Sequence, residues 1–432
     1  MNKLFLSTFA TAMLMASTAL AQDTTISVAA FEGGYGRDMY TKVVAAFEAI
    51  NPGIKVDLTI SRTIGEELAP KVAAGDFPDV VMVGQGSRSG ITENFIRGKM
   101  LEDVSDVLTM TVPGEAVTVG DKLTPGIIGS LATNPYGDDK TYLMPVYASP
   151  TGLVYDAGLF QTRNWTAPTD FDALFALAET AETDSIALFT YPTAGYLDSY
   201  FPSILAAVGG PDFYRRVASY ERDIWLTPEA RKALDLTSEL LANVSPTTLG
   251  YANNQDFTRN QQSILDNTAL FMPNGAWIVN EMKDGPRPDH FAWGFTPVPA
   301  IEPGGTRYVT TTVEAAWVPA GADQKDAARQ FLAFLYSDVA AVIFAESNAI
   351  QPILGLADHL QGDAAIFYGA YGQPNVEAVV GGFAATNPVP GVDIRATLFD
   401  SANSIIDGSM SVDDWQASLN EASNRLSDQL AN

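Results

Sequence analysis

Cysteine is absent from all 432 residues. The chain therefore has no disulfide, no thiolate metal site and no cysteine to carry a lipid. Histidine is nearly absent too, with only His290 and His359 present. Zinc sites draw on Cys, His and carboxylates, and two histidines supply too few donors for one. A Ser-His-Asp triad would need one of those two, and neither lies in a nucleophile motif. Basic residues are scarce as well: 25 Lys and Arg stand against 51 Asp and Glu, a net charge of −26. That balance disfavours nucleic acid and anionic membrane surfaces as partners and says little about a small neutral solute. The G-x-G-x-x-G and G-x-x-x-x-G-K-[ST] spacings of nucleotide loops are missing, as is a D-x-[DN]-x-[DN]-G calcium loop. No cofactor and no metal are expected.

Long apolar runs are missing beyond the N-terminus. There, Lys3 precedes the mainly apolar Leu4 to Leu14, and Ala19-Leu20-Ala21 offers an A-x-A cleavage site before Gln22. Residues 1–21 read as a secretory signal peptide whose apolar run is too short to span a bilayer comfortably. A mature chain free in a periplasm-like space is expected, with no membrane insertion. The length suits two or three domains. With 47% hydrophobic and 18% charged residues the composition is that of a globular protein.

Ile26 to Ala30 reads as a strand that ends in the glycine-rich Phe31-Glu32-Gly33-Gly34-Tyr35-Gly36. Tyr40, Val43, Val44 and Phe47 then share one helical face, Asn51-Pro52-Gly53 stops the helix, and Ile54, Val56, Leu58 and Ile60 alternate as a second strand. Strand, helix and strand in close succession form a βαβ unit with parallel pairing. A helix over 66–74 and a strand over 80–83 follow, opening into Gly84-Gln85-Gly86-Ser87. Two glycine-rich loops on one side of a parallel sheet can line one crevice.

Thr141 to Tyr147 is a further strand, and the turn-rich Ala148-Ser149-Pro150-Thr151-Gly152 suggests a crossover near 147–150. Thr169 with Asp172 resembles a capping box, and Thr227-Pro228 suits an N-cap followed by a first helical residue. Residues 193–200 read as loop. Ala269 to Met272 is a short apolar strand, and Pro273-Asn274-Gly275 suits a tight turn before Trp277. Prolines at 297 and 299 mark an edge or a passage between domains. The last third is helix-rich and closes on a stripe of Trp415, Leu419, Ala422, Leu426 and Leu430.

Several stretches, taken in order, resemble the solute-binding proteins of carbohydrate ABC importers, the maltose-binding-protein-like group. They are Ala45–Val56, Ala73–Val81, Leu143–Tyr147, Gly152–Asp156, Ala269–Trp277 and Asp326–Leu332. The resemblance implies an α/β fold of two discontinuous lobes joined by a hinge, closing on a solute. One lobe would hold 22–147 and 299–347; the other would hold 148–298 and 348–432. Crossings would fall near Tyr147, Pro297 and Asn348. The group often has Tyr-Asn where this chain has Tyr155-Asp156. The loop Phe31–Gly36 and Thr311-Thr312-Val313-Glu314 are most similar to the branch that binds N-acetylglucosamine and its short oligomers. The resemblance also implies a monomer that delivers sugar to the permease subunits of an ABC importer, and no enzyme activity.

A sugar has apolar C–H faces and a rim of hydroxyls. Aromatic rings suit the faces; carboxylates and amides suit the rim. On that chemistry Trp277 is the expected stacking floor, with Tyr35 and Tyr147 as walls. Glu32 and Glu314 are the expected rim carboxylates, and Gln85 and Asn274 the amides. Tyr196 and Asp198 are further candidates. Plain packing competes for the aromatics and solvated surface for the acids. Two other readings remain: an exported carbohydrate-active hydrolase, whose paired carboxylates would lie about 5–10 Å apart, and a binder of a polyol or glycerophosphodiester, for which Arg37, Arg62 and Arg88 are nearby in sequence.

Overall fold

The computed structural model describes residues 24–124, 127–252, 256–356 and 360–430. The expected signal peptide and His359 lie outside them. The first βαβ unit forms because its two periodicities alternate. Strand β1 (Thr24–Phe31) pairs in parallel with β2 (Ile54–Ser61), in register from Thr24 opposite Ile54 to Phe31 opposite Ser61. The helix Asp38–Ile50 between them buries Met39, Tyr40, Val43 and Phe47, one stripe at helical spacing. Strand β3 (Val80–Met82) pairs in parallel on the other side of β1. The loops that leave β1 and β3 therefore emerge together at one end of the sheet.

Two long strands carry the sheet onward. Strand β4 is Met144–Asp156 and β8 is Arg307–Trp317; they pair antiparallel from Met144 opposite Ala316 to Thr151 opposite Thr310. The C-terminal end of β8 also pairs with β3. Beyond Thr151, β4 pairs with β6 (Ala269–Gly275) and β7 (Trp293–Thr296). Strand β5 (Ala187–Phe189) lies parallel to β6, and β9 (Val376–Val380) lies parallel to β8. The order is β2-β1-β3-β8-β4-β6-β5, with β7 on β4 and β9 on β8.

Two sets of cores lie along this sheet. Ile26, Phe47, Met82, Tyr147, Phe331 and Phe344 belong to the first set. Leu153, Phe189, Phe271, Leu398 and Trp415 belong to the second, with Met272, Trp293 and Phe295 beside them. Near Asn348 the chain passes from one to the other, for Ala349 packs in the first and Ile350 in the second.

Four local expectations need correction. No turn interrupts 148–152, because β4 is one strand through Pro145 and Pro150. Its second edge acquires a partner only from Thr151, which lies opposite Gly275 at the end of β6, so much of that edge needs no proline N–H. Likewise Pro273-Asn274-Gly275 is strand, paired with Leu153, Gly152 and Thr151. The chain does not cross near Pro297: Val298, Ala300, Tyr308 and Val309 remain with the second cores. Along β8, Tyr308 and Val309 pack with the second set of cores and Val313 and Ala316 with the first. Finally, the helix Phe171–Glu182 is capped by Asp170, whose carboxylate accepts the Ala173 N–H at 2.9 Å, and not by Thr169.

Phe47 ties the first helix to the late helix Lys325–Phe334, with its ring edge-on to Phe331 at 5.1 Å. Phe47→Ala should lower stability by about 3–5 kcal/mol, from lost transfer energy plus a cavity. Urea denaturation checks this; the midpoint should fall while the transition stays cooperative.

Candidate functional site

The loop after β1 turns sharply. Gly36 has φ 80°, a left-handed conformation that suits glycine, and its N–H donates to the Gly33 carbonyl at 3.0 Å. That turn buries Tyr35, whose ring stands edge-on to Tyr147 with centroids 5.2 Å apart. The Tyr147 and Tyr40 hydroxyls lie 3.2 Å apart. On β8, Glu314 sits directly opposite Tyr147, and its Oε1 accepts the Gly84 N–H at 2.7 Å. A Cβ on Gly84 would come within 2.8 Å of the Val313 carbonyl oxygen, so only glycine lets this loop meet β8. The loop after β3 is thereby fastened to the carboxylate.

The other wall comes from the second half. Strand β6 leads through Gly275 into Trp277 and the single turn Ile278–Glu281. A Cβ on Gly275 would fall 2.3 Å from Trp277 Cζ3, so the indole lies against bare backbone. Trp277 stands edge-on to Tyr35 at 6.4 Å and to Tyr196 at 6.4 Å. It also crowds the opposite loop, for a Cβ on Gly34 would be 3.0 Å from both Trp277 Cβ and Glu281 Oε1. Tyr35, Tyr147, Trp277 and Tyr196 thus form one aromatic series across the seam between the halves.

Burial dominates the electrostatics. Glu314 keeps some exposure to the seam, yet desolvation pushes its carboxyl up to about 7, opposed only by the Gly84 N–H. Burial also raises Tyr35, Tyr147 and Tyr196 above the usual phenol range, and the Glu314 charge adds to the shift of Tyr35 and Tyr147. The Tyr35 hydroxyl is sealed from solvent beside Ser149 and Tyr368, without a well-formed hydrogen bond among the described residues. Glu281 is raised by desolvation, against the bond from Gln261 and the charge of Arg62.

Of the residues singled out in the sequence, Tyr35, Tyr147, Tyr196, Trp277 and Glu314 come together here. Glu32 and Gln85 lie on the two adjoining loops, half-buried, with no side-chain hydrogen bond to a described residue. Asp198 is ion-paired with Arg395. Asn274 is fully buried within β6, its Oδ1 accepting the Gly275 N–H at 2.9 Å and its Nδ2 without a partner among the described residues. Trp277 was expected to meet Glu32, Gln85 and Glu314 only across a solute; in the structure its ring stands edge-on to Tyr35 with centroids 6.4 Å apart. Sequence reasoning missed Glu281 and Gln261. Glu281 lies four residues after Trp277, and that i, i+4 spacing was the available signal. Two open recesses, of about 320 and 470 Å³, lie elsewhere: one beside Gly210 and Tyr308, the other beside Thr24 and Lys325. Neither contains this cluster.

A two-part α/β chain with aromatic and acidic groups at the seam has the architecture of a solute-binding protein. The chain belongs to the bacterial extracellular solute-binding protein family, whose model matches residues 33–342. It is 23% identical over 341 residues to the diacetylchitobiose binding protein NgcE of Streptomyces coelicolor, covering 77% of this chain and 70% of that one. Among solved structures it is similar to a chitin oligosaccharide binding protein, with TM-score 0.72 and 16% identity over 94% of this chain and 100% of the other. It is also similar to RafE in complex with raffinose, with TM-score 0.70 and 19% identity over the same shares. The two-lobe α/β fold expected from the sequence is the observed one.

A carboxyl raised on folding destabilises the folded state once it must ionise. Between the ordinary glutamate value and about 7 the folded chain holds more protons than the unfolded one, so stability falls as pH rises through that window. Glu314→Gln removes this term. Melting curves from about pH 4.5 to about pH 7.5 should show the variant gaining on the parent protein as pH rises.

Proposed function

We propose that this protein is an exported, periplasmic binder that captures a sugar between its two lobes and hands it to an ABC importer. The carrying observation is the series Tyr35, Tyr147, Trp277 and Tyr196, drawn from both halves, with Glu314 beside it lacking a cationic partner among the described residues. Rings offer apolar faces for the C–H side of a pyranose; a carboxylate without a counter-ion accepts hydroxyls with charge-assisted bonds. In this reading Trp277 is the stacking floor, Tyr35, Tyr147 and Tyr196 are walls, and Glu314, Glu32 and Gln85 serve the rim. Asn274, enclosed in its strand, and Asp198, held by Arg395, are left out of the contact set. The similarity to NgcE and to a chitin oligosaccharide binding protein supports an N-acetylglucosamine unit or its short oligomer as the solute. The signal-like residues 1–21 support export.

Intrinsic fluorescence titration tests this reading against a panel of N-acetylglucosamine, N,N′-diacetylchitobiose, raffinose, polyols and glycerophosphodiesters. A tryptophan signal change with an acetamido sugar is expected, at about micromolar affinity, or about −8 kcal/mol. The sugar should be recovered intact afterwards. Silence with every sugar alongside a response to a phosphodiester would sink the reading. Trp277→Ala should abolish the titration while melting stays cooperative; normal binding by that variant would remove Trp277 from the floor.

A further inference from the structure

Glu281, like Glu314, is an enclosed carboxylate held by a single hydrogen bond among the described residues. Asp79 is saturated: its Oδ2 accepts the N–H and hydroxyl of Ser27 at 2.8 and 3.0 Å, and its Oδ1 accepts the Gln324 N–H at 2.8 Å. Asp156 accepts the backbone N–H groups of Gly158 and Ala292 on Oδ1 at 2.9 and 3.1 Å, and its buried Oδ2 has no hydrogen-bond partner among the described residues. These are structural acids, tied by backbone donors. Glu281 has one side-chain bond among the described residues, from Gln261 Nε2 to Oε2 at 2.8 Å. No described cation lies within ion-pair distance of it. Its Oε1 has no donor there and faces the seam, 3.0 Å from where a Cβ on Gly34 would stand.

Its placement is equally particular. Trp277 and Glu281 are four residues apart across a single helical turn, so both project from one side of it. Gln261 comes from the helix Thr258–Leu265, is fully buried, and carries an Oε1 that has no partner among the described residues. A buried amide that spends its N–H₂ on one carboxylate oxygen fixes the direction of the other. Glu281 is half-buried, so its free oxygen stays open to a donor that enters the seam.

We infer that Glu281 is a recognition residue of the cleft: its Oε1 accepts a hydroxyl or acetamido N–H from a saccharide held on Trp277, while Gln261 orients the carboxylate. This rests on the sugar-binding reading above and adds to it a hydrogen-bonding acid on the second half, opposite Glu314 on the first. A saccharide gripped between them donates to both walls. A solute that covers Glu281 without offering a donor takes away its solvent and leaves the oxygen unfilled, which makes the residue a filter for donor-rich neutral ligands.

The test uses the full mature chain and N,N′-diacetylchitobiose as probe, with calorimetric affinity and melting temperature read together. Glu281→Gln keeps the shape and removes the charge, so affinity should fall by about tenfold or more, as expected when a charge-assisted hydrogen bond is lost. Its melting temperature without sugar should match or exceed that of the parent protein, because a desolvated acid has been replaced by an amide. Gln261→Ala should weaken binding by a smaller factor and keep cooperative melting. Unchanged affinity in Glu281→Gln overturns the inference. So does a loss of affinity matched by a loss of melting temperature, which marks a structural acid. If the parent binds no saccharide in the panel, the sugar-binding reading fails and takes this inference with it. Binding by the parent with no effect of Glu281→Gln defeats the inference alone.

Discussion

The antiparallel ladder between β4 and β8 is the constraint on which the molecule depends. Its one run of pairs, from Met144 opposite Ala316 to Thr151 opposite Thr310, serves both halves. At one end β3 joins it; toward the other, β6 and β9 do. Within it, Tyr147 and Glu314 face each other. A slip of one residue would turn both to the opposite face, so register here is part of the site. The irregularity between Pro145 and Tyr147 sets which way the later residues of β4 point. Tyr368 braces the same place, donating to the Ala148 carbonyl at 2.7 Å and accepting the Ile350 N–H at 3.4 Å. Two of the segments that pass between the halves are thereby tied by one hydroxyl.

Close approach across the seam depends on missing side chains. Gly84 admits β8 and its carboxylate, Gly275 admits the Trp277 indole, and Gly34 admits Trp277 and Glu281 from the facing half. The attraction that results is modest: an edge-to-face aromatic pair contributes about 0.5–1.5 kcal/mol beyond its burial. Against this stands the desolvation of Glu314 and Glu281, each given a single hydrogen bond by described residues. Ring packing favours closing, and dry carboxylates oppose it.

Much of this was legible in the sequence, for reasons that differ by element. The βαβ unit was readable because hydrophobic periodicity changes from strand to helix spacing and back within 24–61. Tyr35 and Trp277 were singled out because each follows a strand end, and Glu314, which lies within β8, because of its residue type alone. Proline and glycine misled. In β4 and β6 the pairing partners override local turn preference, as Pro150 and Pro273 show. The change of core along β8 was hidden because a strand that runs from one core to another stays regular throughout. Glu281 was hidden because only tertiary contacts with Gln261 and Gly34 distinguish it from a solvated helix acid.

These opposing terms bear on what kind of solute suits the seam. Trp277 belongs by chain to the second half, yet its ring packs against the first core. A solute entering between Trp277 and Tyr35 must replace that ring contact with one at least as good, which requires an apolar face. It must also fill the acceptors of Glu314 and Glu281, which requires donors on its edge. An apolar molecule meets the first condition and leaves two desolvated acids unfilled; a small ion or polar fragment meets the second and loses the rings. A pyranose meets both, because its C–H faces and hydroxyl rim lie at right angles to each other. Differential affinity for the closed state, the only means by which a ligand shifts a hinge equilibrium, then comes from the groups that disfavour closure when the solute lacks donors.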